Sequence, residues 1–437
     1  MKTKLIGIII CTLLIATAIP VIGQVKNISI IRDDNEINPT NNGDKWIKTY
    51  GRPWNDYGKM VQLTNDGCYI VAGETWTRIG SSSVNDFWLL KIDAMGNKIW
   101  DKTYGSDSYD YCYAVRQTSD DGFILVGFSE IEPHDRAIRL IKTDKYGATE
   151  WNKTYLEGSG VSHGIQDVIQ TSDGGYAIFA STGYGDDDYI IRTDDTGNII
   201  WDKEITGLCK ENYGEHIQQT LDAGFVIAGS AEGRAGILLV KLDSDGNVLW
   251  EKTFVKGTGY HGGYSVQPTN DGGFIICGYL YGYPGIGQYE GPWLIKTDSE
   301  GELIWDSKIG TSTIDYVCFS VKQTIDNGYI IAGRTDRYMR ALYEPVLIKT
   351  DSEGQVEWRK TIDYLGSSMV NSVQQTTDGG YIGVGTVEYI LNSDILLIKT
   401  DSEGNVARNR VITNSFLIRL LERFPNLFPI LRLLLQR

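Results

Sequence analysis

Seven polar side chains recur at one place in a repeated pattern and could together bind a cation or a polar ligand. Each lies eight residues before a threonine of the repeat, and the set consists of Asp56, Asp110, His163, Asn212, His261, Asp315 and Ser368. Tyr57, Tyr111 and Tyr316 directly follow three of the aspartates, and aromatic rings of this kind are suited to stacking on a sugar. If the equivalent positions of the seven repeats lie close together in the fold, the spacing predicts a polar site with an aromatic lining. The competing interpretation is that these residues cap a turn and face solvent.

Two short patterns have the spacing of catalytic or cofactor-binding motifs but lack the surroundings those motifs need. Residues 160–164 (Gly-Val-Ser-His-Gly) fit a nucleophile elbow, which requires a strand-to-helix turn. Residues 257–262 (Gly-Thr-Gly-Tyr-His-Gly) fit a dinucleotide fingerprint, which requires a βαβ unit. Neither context is expected here, so we predict no catalytic residue and no cofactor.

An Asp-rich turn at residues 243–247 (Asp-Ser-Asp-Gly-Asn) is similar to the start of a calcium-binding loop. The bidentate glutamate that completes such a loop is missing from its proper spacing. A hairpin turn explains the Asp and Gly equally well, and we assign no metal ligands.

The positions of these groups are set by an internal repeat. A Lys/Arg-x-Asp-x-x-Gly motif begins at Lys91, Lys142, Arg192, Lys241, Lys296, Lys349 and Lys399. Tryptophan follows the glycine four residues later in six copies, whereas the seventh has Arg408 there. With Trp46, the tryptophans of this class are Trp46, Trp100, Trp151, Trp201, Trp250, Trp305 and Trp358, and their six intervals average 52 residues.

A second motif alternates with the first and also occurs seven times. It consists of Thr, then Asp two residues later, then an aromatic, as in Thr64-Asp66-Tyr69 and Thr220-Asp222-Phe225. Both motifs are flanked by alternating apolar residues, which is typical of hairpins in which Asp caps the turn and Gly adopts a positive φ. Two hairpins in each period give four strands.

Four-stranded units of this length cannot bury both faces alone, but they can when packed radially. The sequence therefore predicts an all-β, seven-bladed β-propeller of four-stranded antiparallel blades. A β-solenoid or a linear string of small sheets is the alternative architecture.

The Lys-x-Asp-x-x-Gly-x-x-x-Trp pattern resembles the tryptophan-docking repeat of pyrroloquinoline-quinone-type propellers over residues 46 to about 410. That resemblance implies that each tryptophan packs between neighbouring blades. The Asp-to-Gly spacing is one residue shorter than in that family, so the resemblance does not extend to the quinone. The chain is also similar to a broad group of secreted propeller-repeat proteins of bacteria and archaea.

Two segments compete for the outer strand of the last blade, Trp46–Tyr50 and Val406–Ile412. Only the first contains the docking tryptophan. We therefore expect Trp46–Tyr50 to close the ring and Val406–Ile412 to form a degenerate fifth strand or an exit.

The ends of the chain differ from the repeats. Lys2 and Lys4 precede an apolar run, which indicates a signal peptide over residues 1–23, with an uncleaved anchor as the alternative. A polar linker is expected over 24–45, the propeller over 46–412, and an amphipathic, partly helical tail over 413–437. Charges and prolines interrupt the tail, so we expect no transmembrane span in the mature chain and possible surface attachment through this segment.

Charge and repetition together favour a binding function. The formal net charge of −15 argues against nucleic acid as a partner. Function tends to lie on loops that vary while the scaffold repeats, here 279–292, 334–345 and 186–188. We therefore predict a secreted or cell-surface scaffold that binds a glycan, peptide or protein. The alternative is an extracellular polysaccharide hydrolase or lyase with its site at the channel mouth.

Overall fold

The computed structural model describes residues 45–79, 82–132, 135–157, 166–181, 188–205, 208–209, 216–231, 236–257, 259–282, 289–310, 315–336, 343–364, 366–389 and 392–407. The chain divides into a unit of residues Met1–Asn42 and a unit of residues Gly43–Arg437, and all described residues belong to the second. The predicted signal peptide, nearly all of the predicted linker and the predicted tail lie outside the described residues.

Every regular element in the described part of the chain is a strand, and the strands form seven antiparallel sheets, as predicted. We call the sheets blades and number them from the first complete one. Blade 1 contains β2 (Asp56–Leu63), β3 (Tyr69–Ile79), β4 (Ser82–Ile92) and β5 (Lys98–Tyr104). Blade 2 contains β6 (Asp110–Gln117), β7 (Phe123–Glu132), β8 (Asp135–Thr143) and β9 (Thr149–Tyr155). Blade 3 contains β10 (Gln166–Gln170), β11 (Tyr176–Ser181), β12 (Asp188–Thr193) and β13 (Ile199–Ile205).

The remaining blades repeat this order. In blade 4, β14 (Leu208–Cys209) and β15 (Ile217–Gln219) both pair with β16 (Phe225–Ala231), and β17 (Ile237–Leu242) and β18 (Val248–Phe254) follow. Blade 5 contains β19 (Gly259–Pro268), β20 (Phe274–Gly282), β21 (Tyr289–Thr297) and β22 (Leu303–Lys308). Blade 6 contains β23 (Asp315–Gln323), β24 (Tyr329–Asp336), β25 (Pro345–Thr350) and β26 (Val356–Thr361). Blade 7 contains β27 (Ser367–Gln375), β28 (Tyr381–Glu388), β29 (Ser393–Thr400) and β1 (Trp46–Tyr50).

The order of strands within a blade follows from their side chains. Strands in the third position, such as β17 (Ile-Leu-Leu-Val-Lys-Leu), are buried along their whole length because neighbouring blades cover both of their faces. Strands in the fourth position, such as β18, alternate between exposed and half-buried residues and form the rim. The first strand of each blade therefore lies next to the propeller axis.

The amino-terminal strand closes the ring, as the docking tryptophan predicted. β1 pairs with β29 in antiparallel register from Trp46 opposite Lys399 to Tyr50 opposite Ile395. The Lys45 amine lies 2.7 Å from the Asp401 carboxylate and extends the same pairing by an ion pair. Residues 401–407 form a turn and an irregular segment, and the rest of the expected fifth strand lies outside the described residues.

The two repeated motifs meet inside each blade. The lysine or arginine that opens the first motif lies on the third strand, and its side chain reaches the aspartate of the second motif. The nitrogen-to-oxygen distance is 2.7 to 2.9 Å in the six blades that use lysine. Blade 3 makes the same contact between Arg192 and Asp173. We call this contact the blade clamp, and it fastens the turn between the first two strands to the middle of the sheet.

The glycines of the two motifs have different roles. The glycine of the second motif does not adopt the positive φ expected from the sequence. The glycine of Asp-x-x-Gly has a positive φ in all seven copies, from 73° at Gly404 to 79° at Gly197, as a tight hairpin requires. In the second motif, positive φ instead occurs one residue earlier than the glycine before the aromatic, for example at Asp121 and Ala223. A side chain on Gly122 would collide with the Lys142 amine and the Thr143 carbonyl. This glycine therefore makes room for the blade clamp.

Each tryptophan of the repeat packs against the following blade. Its ring meets the aromatic residue of the second motif edge-on in six junctions and tilted by 58° at Trp250, with ring centres 5.7 to 6.3 Å apart. It also covers the positive-φ glycine of that blade, so that Trp201, for example, lies against Gly246. The seven tryptophans are Trp46, Trp100, Trp151, Trp201, Trp250, Trp305 and Trp358, and each occupies one of the seven junctions between blades.

Candidate functional site

The propeller has two chemically different faces. The Asp-containing turns, which connect strands one to two and three to four, lie on one side, which we call the turn face. The links between blades and the loops between strands two and three lie on the other, which we call the loop face. The polar residues singled out in the sequence are at the loop-face ends of the innermost strands.

Asp110 is fully buried, and its carboxylate is surrounded by partners from its own blade and from the link that enters it. Its carboxylate accepts hydrogen bonds from the Ser106 N–H at 2.8 Å and the Ser106 hydroxyl at 3.0 Å. It also accepts from Ser129 on the second strand and pairs with Arg139 on the third strand at 2.7 Å. Asp110 thus caps the incoming link and anchors it to its own blade.

Asp56 repeats this arrangement at the junction between blades 7 and 1. It is fully buried, and its carboxylate accepts the Arg52 N–H at 2.6 Å. Burial raises its pKa to about 7, and the nearby charge of Asp394 adds to this effect. The carboxyl group of Asp86, on the third strand of blade 1, lies near Asp110. Burial raises the pKa of Asp86, and the charge of Asp110 adds to this effect.

Of the other members of the predicted ring, the structure describes the side chains of His261 and Ser368. His261 is buried, with its Nε2 atom 2.7 Å from the Lys256 carbonyl and its ring 5.8 Å from that of Trp293 on the third strand. Ser368 is buried at the start of β27, and Asp315 begins β23. His163 and Asn212 lie outside the described residues. The side chains of Asp56, Asp110 and His261 are therefore each buried where a link enters a blade. They cap these links, as the competing interpretation expects, but they do not face solvent.

The three predicted tyrosines differ in their surroundings. Tyr316 is buried beneath the Arg359 guanidinium, 4.6 Å from the ring centre. Tyr57 is half-buried, with the Lys59 amine 6.0 Å from its ring. Tyr111 is half-buried and stacks on Phe128 with ring centres 4.5 Å apart. Within the described part of the chain, Tyr111 belongs to a larger group of aromatic rings on the loop face.

That group extends across the junction of blades 1 and 2. The rings of Trp76 and Tyr109 meet edge-on at 6.0 Å, Tyr109 stacks with Tyr111 at 6.3 Å, and Tyr111 stacks on buried Phe128. Trp76, Tyr109 and Tyr111 are each partly exposed. We call these four residues the aromatic row. The repeat pattern in the sequence identifies only Tyr111, because Trp76 and Tyr109 lie in segments that vary between blades.

A β-bulge near the middle of the innermost strand places one unpaired residue in five of the blades. These residues are five positions before the repeat threonine, namely Lys59, Tyr113, Tyr264, Phe319 and Asn371. Neighbouring members touch, since the Lys59 amine lies 5.4 Å from the Tyr113 ring and the Tyr264 and Phe319 rings are 5.5 Å apart. These contacts connect blade 1 to blade 2 and blade 5 to blade 6 at the innermost strands.

A cavity of about 560 Å³ lies on the axis at the turn face. Its walls come from the last residues of innermost strands in five blades and from the turns that follow. The lining consists of Gln62, Leu63, Asn65, Arg116, Gln117, Thr118, Ser119, Ile169, Gln170, Gln218, Gln219 and Lys322. None of these side chains is a carboxylate or an imidazole. We call this feature the axial cavity.

Glutamines hold the wall of the axial cavity together. Gln117, Gln170 and Gln219 each accept a backbone N–H from the turn of the preceding blade, at 2.8 to 2.9 Å. Gln62 accepts the Gln117 N–H at 2.6 Å. The signal for this network is present in the sequence, because a glutamine stands one or two residues before the repeat threonine in every blade.

The remaining motifs have structural explanations where they are described. Asp243 accepts the N–H groups of Asp245 and Asn247 at 2.9 and 2.8 Å, which is an ordinary capped hairpin turn. Residues 259–262 lie in β19, and the elbow-like segment 160–164 lies outside the described residues. So do the central parts of the predicted variable loops, 283–288, 337–342 and 186–187.

Within the described ranges, no three His, Cys, Asp or Glu residues are grouped to hold a metal ion. The part of the chain that the structure describes has no helix of the length and apolarity needed to span a bilayer.

No protein-family model matches the chain, and no curated protein matches it. Among solved structures, a eukaryotic initiation factor is 11% identical with a TM-score of 0.37, and the match covers 69% of this chain but only 65% of that one. The β-propeller domain of the Trilobed protease from Pyrococcus furiosus is 10% identical with a TM-score of 0.46, covering 80% of this chain and 95% of that one. A quinoprotein alcohol dehydrogenase-like protein from Bacteroides thetaiotaomicron is 11% identical with a TM-score of 0.42, covering 72% and 67%. These distant likenesses support no statement about function.

Proposed function

We propose that this protein is a secreted or cell-surface binding scaffold that holds a ligand on its loop face. The ligand can be a glycan, a peptide or a protein, and the aromatic row favours a glycan. The observation that carries the proposal is that Trp76, Tyr109 and Tyr111 present partly exposed rings in one continuous group. Rings of this kind offer a large apolar face with a polar edge, which suits both the faces and the hydroxyls of a sugar.

The loop face supports binding better than hydrolysis. Glycoside hydrolysis requires two carboxyl groups that reach the substrate from opposite sides. Asp56 and Asp110, two of the three aspartates singled out at this end of the innermost strands, are fully buried and hold the links between blades. Their contacts support a structural role, so this pair does not favour the hydrolase or lyase.

The test compares one double change with a single control change, both in the full chain. Trp76→Ala combined with Tyr109→Ala should weaken binding of an oligosaccharide selected from a glycan array at least about tenfold, because two stacking contacts of about 1 kcal/mol each are lost. The control is Tyr146→Ala, which removes an aromatic side chain that is 63% exposed on the turn face. Unchanged binding by the double variant would contradict the proposal. Capture of an arrayed peptide with no glycan bound would assign the loop face to peptides instead.

We also propose that the chain is exported, on the basis of Lys2, Lys4 and the apolar run that follows. Amino-terminal sequencing of protein recovered from the culture medium should find a new terminus within the first 24 residues or just after them. Recovery from the cytosol alone, with Met1 intact, would exclude export.

A further inference from the structure

We propose that the junction of blades 6 and 7 holds an oxyanion site on the loop face, where Arg334 binds a carboxylate or a sulfate. Arg334 lies near the loop-face end of β24, and its side chain is half-buried. The aromatic row lies at a different junction, between blades 1 and 2. The inference therefore goes beyond the function proposed for that row and does not depend on it.

The alternation of β24 turns Arg334 towards blade 7. Ile330 and Ala332, four and two residues earlier, pack with Val370 and Val373 of blade 7 in one core cluster. Because side chains two residues apart share a face of a strand, Arg334 lies on that same face. Its guanidinium therefore belongs to the loop-face end of the junction between blades 6 and 7.

The first argument is that aromatic rings cover the Arg334 guanidinium while no acid neutralises it. Its central carbon lies 4.0 Å from the centre of the Tyr343 ring and 5.8 Å from that of Phe319. Among the residues that the structure describes, the guanidinium forms neither a hydrogen bond nor an ion pair. A guanidinium stacked on rings still presents its N–H groups in its own plane, where they match two oxygens of a carboxylate or a sulfate.

The second argument comes from the equivalent position in blade 1, which is Glu74. Both Arg334 and Glu74 follow the glycine that pairs with the residue just before the bulge. Glu74 pairs with Lys59, the bulge residue of its own blade, at 3.2 Å. In blade 6 the bulge residue is Phe319, which has no charge. The charge at this position is thus neutralised inside blade 1, whereas in blade 6 it is left for an outside partner.

The third argument is that the site is fixed before a ligand arrives. The Tyr343 N–H donates to the Ser367 hydroxyl at 3.2 Å, and the Tyr343 carbonyl accepts the Ser368 N–H at 2.9 Å. Blade 7 therefore holds the residue whose ring supports Arg334. The Arg334 Nε atom and the Ser368 hydroxyl are both buried, and neither has a hydrogen-bond partner within the described ranges. Buried donors without an acceptor are rare in proteins, and an oxyanion supplies acceptors.

The test uses matched sugars on the full chain with isotope-labelled arginine. The Nε–H resonance of Arg334, identified by its absence in Arg334→Lys, reports binding at the site itself. We expect it to shift with glucuronate or glucose sulfate, with dissociation constants on the order of 1 mM, and not with glucose. A response to both acids assigns the site to oxyanions in general. A response to one acid assigns it to that group alone.

Variants measured by isothermal titration connect the binding to Arg334. Arg334→Gln should weaken binding of the acids at least about tenfold, because the charge and the planar fork are both lost. Arg334→Lys keeps the charge without the fork and should weaken binding about threefold or more. The control is Lys102→Gln, which removes an exposed charge from the rim strand β5 and should leave binding within about twofold of the wild type. Circular dichroism and melting curves check that each variant is folded.

Three results would overturn the proposal. They are equal binding of glucose and the two acids, no binding of either acid up to about 50 mM, and unchanged affinity in both Arg334 variants. Trp76→Ala combined with Tyr109→Ala should still bind the acids. If that double variant loses them, the acid is held at the aromatic row, so Arg334 is excluded while the function proposed for the loop face stands.

Discussion

The buried lysines show how single residues connect distant parts of the sequence. Lys241 is almost fully buried, yet its amine is satisfied by the Asp222 carboxylate at 2.8 Å and the Leu242 carbonyl at 3.0 Å. The aspartate is more than half exposed, so water stabilises part of the pair and the cost of burying two charges is reduced. The amine also lowers the pKa of Asp222 to about 2, although its burial acts in the opposite direction. One side chain thus fixes both hairpins of a blade.

The pKa of Asp56 is shifted in the opposite direction from that of Asp222, and this shift predicts how stability depends on pH. Burial and the charge of Asp394 raise its pKa to about 7 in the folded chain, whereas an unfolded aspartate has a pKa near 3.8. The folded state therefore holds a proton that the unfolded state has released between these two pH values. The stability contributed by this group is complete below about pH 4 and is lost as the pH rises to about 7.

Asp56→Asn should remove this pH dependence while keeping an oxygen that can accept the Arg52 N–H. We expect its free energy of unfolding, relative to the wild type, to rise by on the order of 3 kcal/mol between pH 5 and pH 8. Urea unfolding at both pH values measures this difference. Asp107→Asn, an exposed change in the next link between blades, is the control. A difference that is the same at both pH values would show that Asp56 is ionised throughout.

At the scale of elements, the junction between blades depends on the fourth strand of one blade and the second hairpin of the next. The Trp201 ring lies 6.1 Å from Phe225 and covers Gly246. Lys203, two residues along the same strand, reaches the Asn247 side chain at 2.8 Å. The strand therefore has an apolar and a polar contact with the neighbouring blade on the same side.

Trp201→Ala should destabilise the propeller by about 3 kcal/mol, because it removes a large side chain from a packed junction and leaves a cavity. Trp201→Phe should cost less, since it keeps an aromatic ring against Phe225. Trp54→Ala, which removes a more exposed indole on the loop face, is the comparison and should cost under about 1 kcal/mol. Guanidinium unfolding of the three variants tests this order. Equal losses for Trp201→Ala and Trp54→Ala would mean that the repeat tryptophans do not support the junctions.

The sequence was informative about elements because each motif combines a turn residue with alternating apolar residues, and both signals depend on local geometry. It was less informative about side-chain direction. The bulge at Lys59 shifts the register of β2 in the middle of the strand, so alternation counted from Thr64 does not indicate where Asp56 points. Asp56 and Asp110 each hold the link that enters their own blade, a contact that the spacing of the repeat does not reveal. The glutamines before each threonine were visible, but their partners lie in the next blade, about 50 residues away.

At the scale of the whole molecule, β1 has two functions. It supplies the missing fourth strand of blade 7, and its side chains also make the junction with blade 1. Trp46 packs against Tyr69, and the Tyr50 hydroxyl donates to the Gly96 carbonyl at 2.7 Å. Pairing with β1 covers the edge of β29, which a chain without β1 would expose.

Removal of β1 should therefore affect the entire propeller. A chain that begins at residue 51 would expose the backbone of β29 and the fully buried side chains of Ile395, Leu396, Leu397 and Ile398. A chain that begins at residue 45 keeps β1 and the ion pair of Lys45 with Asp401, and it is the matched control. We expect the shorter chain to melt on the order of 10 °C below the control and to form oligomers through the free edge. Calorimetry and light scattering after gel filtration measure both effects. If the two chains are equally stable and both are monomeric, hydrogen bonding to β1 is not what holds the ring closed. The contacts between the innermost strands of blades 7 and 1 are then sufficient, such as the hydrogen bond from the Leu63 N–H to the Gln374 side-chain oxygen at 2.6 Å.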